Sequence, residues 1–278
     1  MEKQPQPNLV GIFDSGIGGL SVLREIHAML PFQPLYFVAD QAHVPYGKRD
    51  LEEIRAFSFA ITDFLAGKGA RMIIVACNTA SAAALKELRA AYPQLTFVGM
   101  EPAVKPATRT THNGVVGVLA TPATFEGKMY NTLVEKFARD VKIFTNTCAG
   151  LVEEIESGGT SSPNARQILK QALIPMVEKG ADTIVLGCTH FPFVVPLIEA
   201  IVGPDVTVID PAPAIARRTS YLLDELGLIV RYANGEDLTF ATTGETGKFK
   251  NSIYSLLGIE TDPQKLDWQD GILKSRQV

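Results

Sequence analysis

Two stretches of the chain share one design: "IIVACNTAS" at residues 73–81 and "IVLGCTHFP" at residues 184–192. Each is an apolar run, a small residue, a cysteine, a polar pair that includes threonine, and then the start of a helix. A single buried cysteine in such a place reads as a small core residue. Two of them, Cys77 and Cys188, on matched strand-to-helix turns point instead to a functional pair. The carboxyl ends of strands in open α/β sheets are where ligands bind. Exposed backbone N–H groups and the dipole of the following helix favour a thiolate there.

With one thiol on each side of a small ligand, an acidic C–H at a stereocentre can be lost to one base and regained from the opposite face. That inverts configuration, and each base serves as the acid of the reverse reaction. Thiols suit the task because their reference pKa, about 8.5, lies near working pH. Each needs a polar neighbour to manage its proton, and Asp14 for Cys77 and His190 for Cys188 are the natural candidates. A zinc site built from Cys77, Cys148, Cys188 and His190 matches no common spacing, so no metal is expected.

Other polar turns add residues of the right kind. "GIFDSGIGGL" (11–20) places Asp14 and Ser15 at a strand end. Gly16 and Gly18 fit the start of a G-x-G-x-x-G fingerprint, but its third glycine position holds Ser21, and Asp14 would repel a phosphate. The glycines are expected to let the backbone approach a small ligand, with Asp14 either facing that ligand or capping the helix. "DQAHVPYGKRD" (40–50) offers Asp40, His43 and a Pro-Tyr-Gly turn with Tyr46 and Gly47. "LATPATFEGKMY" (119–130) offers Thr121 and Thr124, with Pro122 to start a helix. "CAGLVEEIESG" (148–158) offers the adjacent acids Glu153 and Glu154.

The elements that must carry these turns are parallel strands. Continuous apolar runs at 8–13, 35–39, 71–76, 114–120, 141–146, 183–187, 206–210 and 237–243 alternate with helix-period segments. Runs of this kind, rich in Val and Ile, indicate strands covered on both faces. The fold class is therefore α/β, with two similar doubly wound parallel-sheet domains, pseudo-two-fold related, and the active site between them. "TFVGMEPAVKPAT" (96–108), passing from strand to irregular chain, and "DPAPAIARR" (210–218) read as the crossings. These place residues 1–102 plus 208–278 in a domain on the Cys77 side and 103–207 in a domain on the Cys188 side. Thr79 or Ser81 is expected to cap the helix after Cys77.

The totals restrict the rest. A chain of 278 residues, 46% hydrophobic and 20% charged, is ordinary for a globular protein of one or two domains. Net charge of −4, with no long Lys/Arg block, excludes the electrostatic footprint of a nucleic-acid or membrane-surface binder. The longest apolar region, 183–203, is broken by His190, Pro192, Pro196 and Glu199, so no membrane span is expected. Three scattered cysteines and a polar N-terminus without a signal-peptide core point to the cytoplasm.

Taken together, "FDSGIGGLSV", "PYG", "VACNTAS", "TPATF" and "LGCTHFP" resemble the glutamate racemases, cofactor-independent enzymes of the aspartate/glutamate racemase superfamily. The resemblance runs from about residue 9 to about residue 258. It implies that Cys77 takes the α-proton from D-glutamate and Cys188 from L-glutamate. It also implies substrate contacts at Asp14, Ser15, Tyr46, Gly47, Asn78, Thr79, Thr121, Thr189 and His190, with Asp14, Glu153 and His190 as auxiliary catalytic groups. Glu154 is the alternative to Glu153. Cys148 matches no catalytic position and is expected to be packing. The resemblance further implies that the product, D-glutamate, feeds peptidoglycan synthesis and cell-wall biogenesis, that no cofactor is required, and that a homodimer forms. The first eight residues are short beside the activator-binding extension of some family members, so regulation of that kind is not expected.

One feature of the residues agrees with an acidic substrate held this way. No arginine lies in the polar turns except Arg49. Hydroxyls and backbone N–H groups would then bind the anion. Such neutral donors avoid over-stabilising the ground state. Three rivals remain: a racemase of aspartate or a related acid, a non-catalytic two-domain amino-acid binding protein, and a pyridoxal-phosphate racemase. The last lacks a lysine at a strand end beside a phosphate cup.

Overall fold

The computed structural model describes residues 8–232 and 238–276. The expectation about the first residues concerns an N-terminal segment that lies, up to residue 7, outside that range. The chain divides into two compact units, Met1–Met100 with Ala212–Val278, and Glu101–Pro211. Their joints fall a few residues from the expected 102/103 and 207/208.

In the first unit, β1 (Val10–Asp14), β2 (Leu35–Ala39), β3 (Met72–Val75) and β4 (Thr96–Gly99) stand in the order β2-β1-β3-β4, all parallel. The second unit repeats that order with β5 (Val115–Ala120), β6 (Lys142–Asn146), β7 (Thr183–Gly187) and β8 (Thr207–Ile209), as β6-β5-β7-β8. The chain then returns to the first unit, where β9 (Leu238–Thr242) and β10 (Gln264–Gln269) extend the parallel sheet beyond β2. Strand β11 (Ile272–Ser275) closes that edge, antiparallel to β10.

Residues of β1, β2, β3 and β7 are buried throughout, because helices cover both faces of a parallel sheet. Register then decides which turns meet. Phe13 pairs with Val75, and Asp14 with Ala39. Two residues further on, Ser15 and Cys77 come level, as Thr121 and Cys188 do one residue beyond the Ala120–Gly187 pair.

Two segments differ from expectation. Residues 104–108 are not irregular: Val104–Thr110 is a helix, and Pro106 sits in its first turn, where a missing N–H costs nothing. The β10–β11 hairpin is absent from the expected elements. Its loop is Asp270–Gly271, both at positive φ, +49° and +76°. Those two residues form the primed turn that an Asp-Gly pair adopts between strands.

Candidate active site

Cys77 ends the extended chain after β3 and is itself the N-cap of the helix Asn78–Ala91. Its sulfur accepts the Ala80 N–H at 3.4 Å and lies 3.9 Å from the Ser15 hydroxyl. Neither Thr79 nor Ser81 is the cap. Both lie inside the helix, and the Ser81 hydroxyl donates to the Val75 carbonyl while accepting the Met100 N–H. The thiol is buried, as are Asp14, Ser15, Asn78 and Thr79.

Asp14 accepts the N–H of Gly16 at 3.0 Å within its own turn, and Gly19 rather than Asp14 stands at the N-cap of the helix Leu20–Met29. A Cβ on Gly19 would meet the Asp14 Cβ at 2.6 Å and the Phe37 ring at 3.0 Å. Glycine at 19 thus lets the helix start pack directly on the site aspartate. Asn78 has both carboxamide atoms buried with no hydrogen-bond partner among the described residues. An amide left unpaired in the interior is costly unless a ligand completes it. Tyr46, also buried, donates to Asp40 at 2.6 Å. Burial, then Asp40, then the charges of Cys77 and Asp14 raise its pKa well above the ordinary value, so it stays a neutral donor.

In the second unit, Cys188 follows β7, and the Phe191 N–H closes on its carbonyl at 3.2 Å. The chain beyond is a short 3-10 turn, Phe191–Val194, before the helix Val195–Val202 begins. The likeness of the two cysteine turns is therefore partial: Cys188 does not cap an α-helix. What it has instead is a partner chain of side chains. His190 Nδ1 lies 3.7 Å from the Cys188 sulfur, and His190 Nε2 lies 2.6 Å from Glu156 Oε1. Cys188, Thr189 and His190 are all buried.

The acid on His190 is Glu156, in the helix Leu151–Glu156 that also carries Glu153. Glu154, the alternative, has its carboxylate on Ser162 Oγ (2.6 Å) and Asn164 Nδ2 (2.7 Å), where it secures the start of the helix Pro163–Glu178. Thr121 caps the helix Pro122–Glu126, its hydroxyl 3.0 Å from that of buried Thr124. Cys148, at φ +44°, is buried. Burial, with the charge of Cys188 nearby, pushes its thiol up to about 12, so it stays protonated. Among the described residues, no three of His, Cys, Asp or Glu are grouped to hold a metal ion.

Burial alone would lower the His190 pKa; the hydrogen bonds and charges of Cys188 and Glu156 outweigh it and hold the imidazole well above its usual value. The unfolded value is about 6.5. A raised folded value adds stability that is complete below the unfolded pKa and is lost as pH rises through the folded one. Removing the Glu156 charge by Glu156→Gln shrinks that contribution. The stability gap between wild type and variant should therefore be widest near pH 6 and narrow toward pH 9. Urea denaturation midpoints across that range check this; a gap that widens with pH would contradict it.

Comparison with known proteins adds the family. Residues 10–219 match the family model described as Asp/Glu/hydantoin racemase. A glutamate racemase of Roseiflexus sp. (strain RS-1) is 47% identical over 249 residues, 89% of this chain and 91% of the relative. The crystal structure of glutamate racemase from Francisella tularensis subsp. tularensis SCHU S4, in complex with D-glutamate, superposes with a TM-score of 0.80 at 29% identity, covering 93% of this chain and 96% of that one. Escherichia coli glutamate racemase, in complex with L-glutamate and the activator UDP-MurNAc-Ala, gives a TM-score of 0.80 at 33% identity, over 91% and 95% of the two chains.

Proposed function

The chain belongs to the Asp/Glu/hydantoin racemase family, and on that footing we propose that it interconverts L- and D-glutamate by two-thiol proton transfer at the α-carbon. The observation that carries the mechanism is the equivalent placing of two thiols, each at the end of the third strand of the same four-strand order and each with its own polar partner. Glutamate as substrate is supported by relatives of that name, at 47% identity for the Roseiflexus enzyme, and by the E. coli and Francisella enzymes that hold its two enantiomers.

In the proposed reaction the Cys77 thiolate removes the α-proton of D-glutamate, leaving the electron pair on the α-carbon and its carboxylate. The Cys188 thiol then delivers a proton to the opposite face, giving L-glutamate and a Cys188 thiolate. The reverse reaction exchanges the roles. His190, held by Glu156, steadies the charge that appears on Cys188. Asp14 is assigned the corresponding duty for Cys77, and Glu153 an auxiliary one. Ser15, the Tyr46–Gly47 turn, Asn78, Thr79, Thr121 and Thr189 are assigned to the substrate, with the unsatisfied amide of Asn78 the strongest single support. The D-glutamate formed serves peptidoglycan synthesis. The proposed setting is the cytoplasm, supported by three scattered cysteines, and the proposed assembly a homodimer, by family resemblance.

Incubating the protein with L-glutamate in deuterated water, while following optical rotation and α-deuterium together, tests the reading. Loss of rotation with deuterium uptake is expected. No exchange with glutamate, or exchange with aspartate only, would overturn the substrate assignment.

A further inference from the structure

The family match ends at residue 219, yet a side chain well beyond it reaches the candidate site. Trp268, the only tryptophan of the chain, stands on β10 and donates its indole N–H to Asp40 Oδ1 at 2.8 Å. Thr243, just past β9, donates to the same oxygen at 2.8 Å and accepts the Ala42 N–H. The other oxygen, Oδ2, faces the loop after β2, where Tyr46 OH donates at 2.6 Å and His43 Nδ1 lies at 2.9 Å. Asp40 is wholly buried, so one carboxylate ties the C-terminal segment on one side to the Tyr46–Gly47 turn on the other. The hairpin is itself fixed near this point: Lys265 donates to the carbonyls of Thr243 and Gly244, the latter at 2.6 Å. Trp268 also packs edge-on to His43 and against Phe57.

We propose that the C-terminal hairpin is a positioning element for the substrate-binding turn, with Trp268 acting through Asp40 to hold Tyr46 and Gly47 in the orientation that binds glutamate. The inference rests on the reading of that turn as substrate-binding. Proton transfer belongs to the cysteines, so a slackened turn should weaken binding and spare the chemical step.

Trp268→Phe keeps a ring against Phe57 and His43 and removes the N–H. Its KM for both enantiomers should rise about tenfold, as expected for loss of one net hydrogen bond, with kcat within about twofold of wild type. In a Tyr46→Phe background the same substitution should raise KM no further, because the tie is already cut. Thr243→Val, which removes the other donor to Oδ1, carries the same test if Trp268→Phe does not fold. An unchanged KM beside a lowered melting temperature would overturn the proposal and leave the hairpin a structural strap. Additive KM increases would overturn it too, since the effect would not then pass through Asp40 and Tyr46. A wild-type protein that does not racemise glutamate would sink the functional reading instead, and that control is run first.

Discussion

Alanine at either Cys77 or Cys188 is expected to reduce kcat/KM for glutamate racemisation by about a thousandfold or more, near the upper range for one positioned acid–base group. The two enantiomers have equal free energy, so the equilibrium constant is one and kcat/KM must fall by the same factor in both directions. Direction-dependent assays of racemisation therefore cannot assign the thiols to enantiomers. Exchange without inversion can. In Cys188→Ala, D-glutamate should still give its α-proton to Cys77 and slowly take deuterium back on the same face, without change of rotation. Cys77→Ala should do the same with L-glutamate only. Full racemisation in both variants would refute the two-thiol mechanism, and the reversed pattern of exchange would swap the two assignments.

His190→Asn is expected to lower kcat about a hundredfold. Asparagine can offer an amide near the position of Nδ1, but it cannot carry the charge that Glu156 and Cys188 stabilise on the imidazole. The loss falls on proton transfer at Cys188 alone. With α-deuterated L-glutamate the primary isotope effect should rise, because removal of that deuteron becomes more fully rate-limiting. With α-deuterated D-glutamate it should fall toward one, because the slow step now lies after the labelled bond has broken. Equal isotope effects on the two enantiomers would show that His190 serves both thiols or neither.

The central strands were readable because a parallel sheet buried on both faces demands unbroken apolar runs, as "GIF" in β1 and "MIIV" in β3 supply. Both cysteines were readable because their turns share one pattern of residues. The hairpin β10–β11 is hard to read from sequence because its strands are half-exposed and mostly polar, although the Asp270–Gly271 pair is a usable signal. Glu156 was harder to find. It is one of three acids on a short helix, and only the tertiary placing of His190 shows which of them the imidazole meets. Asp40 reads in the sequence as a polar residue in a turn, but the partner that explains it, Trp268, lies 228 positions away along the chain.

Cys77 also closes the end of a helix with sulfur, accepting the Ala80 N–H at 3.4 Å. Oxygen does this better: serine is among the preferred residues at that position, with caps worth about 1 kcal/mol, and sulfur is a weak acceptor. Under the proposed mechanism, durability and turnover thus favour different atoms of the same group of the periodic table at residue 77: oxygen for the helix end, sulfur for the proton transfer. A thermostabilisation campaign that ranked substitutions by helix ends alone would promote Cys77→Ser early. On that mechanism it would harvest a sturdier protein at the expense of its proton transfer.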